Sequence, residues 1–405
     1  MPPRQQIPDL ERATVLSRIR SSGPISRADL ARCLGLRPSS VTEFVRELMA
    51  KGIIIEVGQG GSNGGRPPVL LDIDRANNYA LGITVEPRGI SAAVVRWDGT
   101  IVSRCSSGPL NDTGDANALE KYIAHIADEV LTAAAVPFSR VRGIGVGMSA
   151  LVDPATNKAI ISSTMPAAPG FRSQSLAEHY GKPVYLEDIA YLMALGERWF
   201  IYPNDKRPLV FVLISSGTCG AVLEPWAPSG GWRFAAEFGH MVVDVNGPLC
   251  GCGKRGCLES FVSETALLAT ANRLLGIDRE TPLSLDNIAA LADSGNAIAQ
   301  RIIAAAAEQL GVAIANLANI FAPALIILGG SVVDAWDSRL LPQARLHVQA
   351  HLMEYLQNRV EILPSRLGPD APLLGSAARV LEAFFAAPRL SLVQSRPAET
   401  AQLAV

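Results

Sequence analysis

Glu237-Phe238-Gly239-His240 and, ten residues after the histidine, Cys250-Gly251-Cys252-Gly253-Lys254-Arg255-Gly256-Cys257-Leu258-Glu259 form the densest chemical signal in the chain. Three cysteines and one histidine fall within the eighteen residues from His240 to Cys257. Thiolate sulfur and imidazole nitrogen are the donors a tetrahedral Zn²⁺ prefers, so His240, Cys250, Cys252 and Cys257 make a complete four-ligand shell. Gly251, Gly253 and Gly256 let the backbone turn tightly about an ion. A closed shell leaves no position for water, so the expected cofactor is a structural Zn²⁺. Glu237 and Glu259 bracket the ligands. A metal clamp fixes whatever its loop presents, so Glu237, His240 and Glu259 are expected to face one polar ligand. Taken alone, the two glutamates read equally well as solvated side chains.

Glu-x-Gly-His followed by Cys-x-Cys-Gly-x-x-Gly-Cys-Leu-Glu resembles the signature of the ROK family of repressors, open reading frames and sugar kinases. A weaker likeness extends over residues 80–385. The resemblance implies that the Cys₃His centre is a structural zinc site and that Glu237, Glu259 and His240 contact a sugar.

Outside this stretch, patterning sets the organisation. A chain of 405 residues, 48% hydrophobic and 18% charged, has room for more than one core. Net charge is −2, so no global field points to nucleic acid. Residues 1–72 nevertheless carry +3 against −5 for the remainder. Cys33, Cys105 and Cys219 are scattered in apolar or small-residue surroundings and form no disulfide framework. Reduced thiolates favour a cytoplasmic setting. The amino terminus lacks the apolar core of a secretory signal, and no membrane span is expected.

In the amino-terminal segment a first helix is expected over 10–20, with Leu16 and Ile19 on one face. Ser26 is a candidate N-cap for a second, which Gly35 closes. Arg37-Pro38-Ser39-Ser40 opens a third, with Val41, Phe44, Val45, Leu48 and Met49 at helical spacing. Its outer face carries Arg37, Ser39, Ser40, Thr42, Glu43 and Arg46, the kind of cationic and hydrogen-bonding side chains that read base edges and phosphates. An ordinary helical hairpin with a solvated face shares this pattern. Two β-runs, 52–57 and 69–73, flank the glycine-rich 58–68, which contains Arg66. Three helices and a hairpin spell a winged helix-turn-helix over residues 1–74, with Arg66 at the wing tip as a candidate phosphate or minor-groove contact. The wing's Gly-Arg-Pro-Pro also resembles that of ROK repressors; ROK kinases lack this domain.

The rest reads as α/β. Strands are expected over 79–85, 90–96, from 101 and over 141–147, with a helix over 117–135. A second round follows at 209–214, 220–223, 241–245 and 324–328. This twofold β-β-β-α-β repeat resembles the two-lobed actin-like/hexokinase (ribonuclease H-like) ATPase-type fold. The expected lobes are 75–190, completed by a carboxy-terminal helix over 371–387, and 191–370 with the zinc loop. Residues 388–405 read as a tail without core pattern.

In the kinases of the family the first phosphate loop reads Asp-x-Gly-Gly-Thr-Lys. Here the matching residues are Thr84, Val85, Glu86, Pro87 and Arg88. A carboxylate repels triphosphate and proline removes a backbone donor, with Arg88 the one cation that restores some anion affinity. The second loop, Ser215-Ser216-Gly217-Thr218-Cys219-Gly220, is partly kept. Glu187-Asp188 matches the family's Asn-Asp, whose Asp is the base toward the sugar hydroxyl. Without a phosphoryl donor Asp188 becomes a vestigial base that accepts a hydrogen bond, or caps the following helix. The resemblance makes Glu187, Asp188, Glu237, His240 and Glu259 sugar contacts, with Ser149 a further one. The function expected is a sugar-responsive transcriptional repressor, not an enzyme. It would bind operator DNA as a homodimer or homotetramer and take a sugar or sugar phosphate effector. The rivals are an active sugar kinase with an appended DNA-binding domain, and a repressor that answers to a partner protein.

Overall fold

Ser26 sets where the second helix begins: its hydroxyl accepts the Asp29 N–H at 3.1 Å. In the computed structural model, which describes residues 6–61, 67–110, 115–153, 156–162, 165–205, 207–224, 234–276 and 283–386, the chain forms two units. One holds residues 1–74 and 385–405, the other 75–384.

The first unit runs α1 (Gln6–Ser22), β1 (Ile25–Ser26), α2 (Arg27–Leu34), α3 (Pro38–Ala50), β2 (Ile54–Gln59) and β3 (Val69–Ile73). Gly35 ends α2 at φ 64°, a left-handed conformation that glycine adopts without strain. Along α3, Val41, Phe44, Val45 and Leu48 are buried, as their spacing requires. Arg12 pairs with Glu47 at 2.8 Å and so ties α1 to α3. Arg27 pairs with Glu56 at 3.0 Å and ties α2 to β2. The strands form an antiparallel sheet in the order β1-β3-β2. Three helices on a small sheet with a hairpin make a winged helix. The tip over 62–66, with Arg66, lies outside the described residues, and so does the tail over 388–405.

The second unit opens with β4 (Tyr79–Glu86), β5 (Gly89–Arg96), β6 (Ile101–Ser106), α4 (Ala116–Ala134) and β7 (Val141–Met148). The small hairpin β8 (Leu151–Asp153) and β9 (Lys158–Ile161), then α5 (Gln174–Tyr180) and β10 (Val184–Asp188), complete this lobe. After α6 (Ile189–Gly196) come β11 (Leu209–Ile214), β12 (Thr218–Leu223) and β13 (Phe234–Ala236). Then follow α7 (Glu259–Val262), α8 (Glu264–Leu275), α9 (Leu285–Asp293), α10 (Ala297–Phe321), β14 (Leu325–Gly329), α11 (Ser331–His351), β15 (Glu361–Pro364) and α12 (Ala371–Phe385).

The two five-stranded sheets repeat one topology, β10-β7-β4-β5-β6 and β15-β14-β11-β12-β13. In each, an antiparallel three-strand meander continues through a parallel strand on its first member. The parallel central strands are apolar on both faces, as strands covered by helices on both sides must be. α12 returns to the first sheet. A β-carbon on Gly145 of β7 would stand 1.9 Å from the Ser376 carbonyl of α12, so only glycine permits that approach.

One expectation changes. The third strand of the second sheet is β13, not 241–245. The sheet edge is already taken, and the Val243 and Asp244 N–H groups donate to the Gly256 carbonyl at 2.9 and 3.4 Å, toward the cysteine loop. α10 is long and apolar enough to cross a membrane by composition. Its apolar residues instead join the second lobe's core with Trp336, Leu340 and Leu341 of α11.

Candidate sugar, metal and DNA sites

The cysteine loop closes on itself through backbone bonds: Cys250 N–H to the Lys254 carbonyl at 2.7 Å and Gly256 N–H to the Pro248 carbonyl at 2.9 Å. Gly253 and Gly256 take φ of 85° and 73°. One donor atom from each of His240, Cys250, Cys252 and Cys257 lies within 4.8 Å of all the others. Cys252 and Cys257 sulfurs are 3.7 Å apart, as are Cys250 sulfur and His240 Nδ1. A tetrahedron with metal–sulfur bonds of about 2.3 Å has edges of about 3.8 Å, so the four donors fit one four-coordinate ion. Burial raises the Cys250 thiol and pushes Cys257 up to about 12. Without a cation these thiols would hold their protons.

His240 has two tasks in the sequence reading, and its two nitrogens separate them. Nδ1 faces Cys250, while Nε2 lies 3.8 Å from Glu237 Oε2. At that distance the carboxylate is near the far nitrogen without a hydrogen bond to it.

Glu237, at the end of β13, is exposed. Glu259, the first residue of α7, is partly buried and accepts the Thr218 N–H at 2.9 Å through Oε2. Asp188 ends β10 and caps α6, accepting from Ala190 and Tyr191 N–H groups at 2.8 and 3.3 Å. Desolvation pushes its carboxyl up to about 7 against those two hydrogen bonds, and the charges of Glu237 and Glu187 add to the rise. Cys219 on β12 reports the convergence. Burial raises its thiol most, and the fields of Asp188, Glu237 and Glu259 raise it further. The charges of three carboxylates from two lobes thus act on the Cys219 thiol. The sequence reading left Cys219 unassigned, because nothing local shows which loops its strand passes beneath. Ser149 follows Met148, the register partner of Asp188, and its N–H donates to the Val85 carbonyl at 3.1 Å.

Side chains alternate along a strand, and Glu187 and Tyr185 share the other face of β10. There Arg379 of α12 pairs with Glu187 at 3.0 Å and lies over the Tyr185 ring at 4.6 Å. The carboxylate is engaged in a buried ion pair. Arg379 is 192 residues away, so local spacing could not find it.

Arg88 is also engaged. Its guanidinium lies 2.6 Å from Glu264 Oε2, which leaves the β4–β5 turn without an unneutralised cation. Burial raises the Glu86 carboxyl, and Arg88 lowers it in part.

In the first unit, Arg37, Ser39, Thr42, Glu43 and Arg46 are exposed on the start and outer face of α3, and Ser40 is half-buried. Thr42 turns its hydroxyl back to the Pro38 carbonyl at 2.8 Å.

Fold and site together define a winged-helix protein that carries a bilobed, hexokinase-like unit with a Cys₃His centre. The ROK family model matches residues 80–383 and the MarR family model residues 10–55. The chain belongs to the ROK family. It is 32% identical over 375 residues to the xylose repressor of Bacillus subtilis, covering 91% of this chain and 94% of that protein. The crystal structure of a ROK family transcriptional regulator, a homolog of the Escherichia coli MLC protein, superposes with TM-score 0.79 at 23% identity over 94% of this chain and 98% of that one. A ROK family glucokinase from Streptomyces griseus, solved with glucose and AMPPNP, superposes with TM-score 0.62 at 25% identity. It covers 74% of this chain and 98% of its own.

Proposed function

We propose that this protein is a sugar-responsive transcriptional repressor in which the bilobed unit serves as the sensor and not as a kinase. The observation that carries the reading is a conjunction within one chain. A winged helix precedes a unit in which the charges of Asp188, Glu237 and Glu259 all act on the Cys219 thiol, while the turn that would meet a phosphate donor carries Glu86, Pro87 and a neutralised Arg88. Carboxylates suit a polyol, since each hydroxyl donates one hydrogen bond. A carboxylate beside a buried turn opposes a triphosphate. The relatives that carry both parts are named as repressors, among them one for xylose.

In this reading the Cys₃His centre holds zinc, which keeps Glu237 and His240 Nε2 on the sugar side of the loop. Asp188, Glu237, Glu259, His240 and Ser149 bind the sugar, and Glu187 supports β10 through Arg379. Arg37, Ser39, Ser40, Thr42, Glu43 and Arg46 meet the operator, with Arg66 on the wing. Two copies would read the halves of a palindromic site. Sugar shifts repression only if it binds the two lobe arrangements with different affinity.

The kinase reading keeps one observation of its own: a carboxyl at about 7 suits a base toward a sugar hydroxyl. One experiment separates the two. DNA retention on the upstream region of the chain's own gene is titrated with pentoses, hexoses and their phosphates, while ATP is followed in the same tubes. A complex that one sugar alters, with ATP constant, is the expected result. Sugar-dependent loss of ATP without a DNA complex would make the protein an enzyme.

A further inference from the structure

Glu264, the first residue of α8, gathers contacts from both lobes. Its Oε2 accepts Arg88 Nη2 from the β4–β5 turn at 2.6 Å and the Ser331 hydroxyl from the start of α11 at 2.6 Å. The Ser331 hydroxyl lies 3.3 Å from that of Ser215. The Glu264 N–H donates to the Ser215 carbonyl at 2.8 Å, and the Thr265 hydroxyl to the Ser216 carbonyl at 2.8 Å. The carboxylate is thus built into the β11–β12 turn, and Arg88 is its one partner from the other lobe among these contacts. The two turns are equivalents, since each joins the first two strands of its own sheet. With Glu86 beside Arg88, the corner holds two carboxylates and one guanidinium, so it favours the internal pair over an added anion.

We propose that Arg88 and Glu264 form a latch between the lobes, a side-chain pair standing where a phosphate donor would otherwise bridge them. The proposal rests on the sensor reading above and deepens it. Sugar held between Asp188 of one lobe and Glu237 and Glu259 of the other needs the lobes together. The latch raises the population of that arrangement before sugar arrives, and apparent affinity scales with the population. Arg88 is the more exposed partner, so the pair is worth about two- to fivefold in apparent sugar affinity. That gain falls with ionic strength.

The test uses the full chain, with R88A, E264A and the double variant, each checked for metal content equal to the unaltered protein. Without sugar, R88A speeds amide exchange over residues 215–218 and 264–266, although Arg88 belongs to the other lobe. With sugar, each single variant weakens binding by about two- to fivefold, the double variant is no weaker than E264A alone, and added salt weakens only the unaltered protein. Unchanged exchange at 215–218 in R88A, or effects of the two substitutions that add, overturns the latch. If the unaltered chain binds none of the sugars while R88A still loosens 215–218, the sensor reading fails and the latch stands.

Discussion

Replacing Asp188 by Asn separates the two demands placed on that residue. Asn caps a helix about as well as Asp, so the bonds from Ala190 and Tyr191 N–H groups survive the change. What disappears is a carboxylate that desolvation holds at about 7 rather than the ordinary 3.8. A carboxyl with a raised folded-state value gives stability that is fully present below 3.8 and lost as pH climbs through about 7. Above that pH the shift amounts to a ceiling of about 4 kcal/mol, and water reaching the cleft lowers it. At pH 5 the folded carboxyl is mostly protonated and the cost is under about 2 kcal/mol. D188N is therefore expected to melt higher than the unaltered protein at pH 8 by several degrees, with a smaller gain at pH 5. Thermal unfolding followed by circular dichroism at both pH values measures the difference. A variant less stable at pH 8, or a gain equal at the two pH values, refutes the placement of an uncompensated carboxylate there. The same variant is expected to bind sugar at least tenfold more weakly, since an amide is a poorer acceptor than a carboxylate.

The remaining expectations concern other parts of the molecule. Metal analysis of the purified protein should give one zinc per chain, and C257S should lose it and unfold at lower temperature. Retention of full metal by C257S would remove Cys257 from the shell. G145A should cost about 2–4 kcal/mol in urea unfolding, because the added methyl meets the Ser376 carbonyl of α12; a change near zero would mean that α12 moves freely on β7. R46A should weaken operator binding and reduce the slope of log affinity against log salt by about 1. An unchanged slope would take Arg46 off the phosphates.

The parts of this protein that the sequence determined by itself are those that local chemistry sets. Helix caps at Ser26 and Gly35, the apolar stripe from Val41 to Leu48 and the strands β4 to β7, β11, β12 and β14 follow from spacings of a few residues. The Cys₃His shell is equally local, since its ligands span eighteen residues. Tertiary structure decided the contacts between residues far apart in the chain. Pairing in the sheets turned Glu187 toward Arg379 and left Asp188 to cap α6, although the two are neighbours in sequence. The same pairing brought Cys219 into the field of three carboxylates and gave the second sheet's edge to β13 in place of 241–245. It brought Arg88 to Glu264, 176 residues away. The physical reason is that a strand's periodicity says which residues share a face, while the order of strands in the sheet says what that face meets.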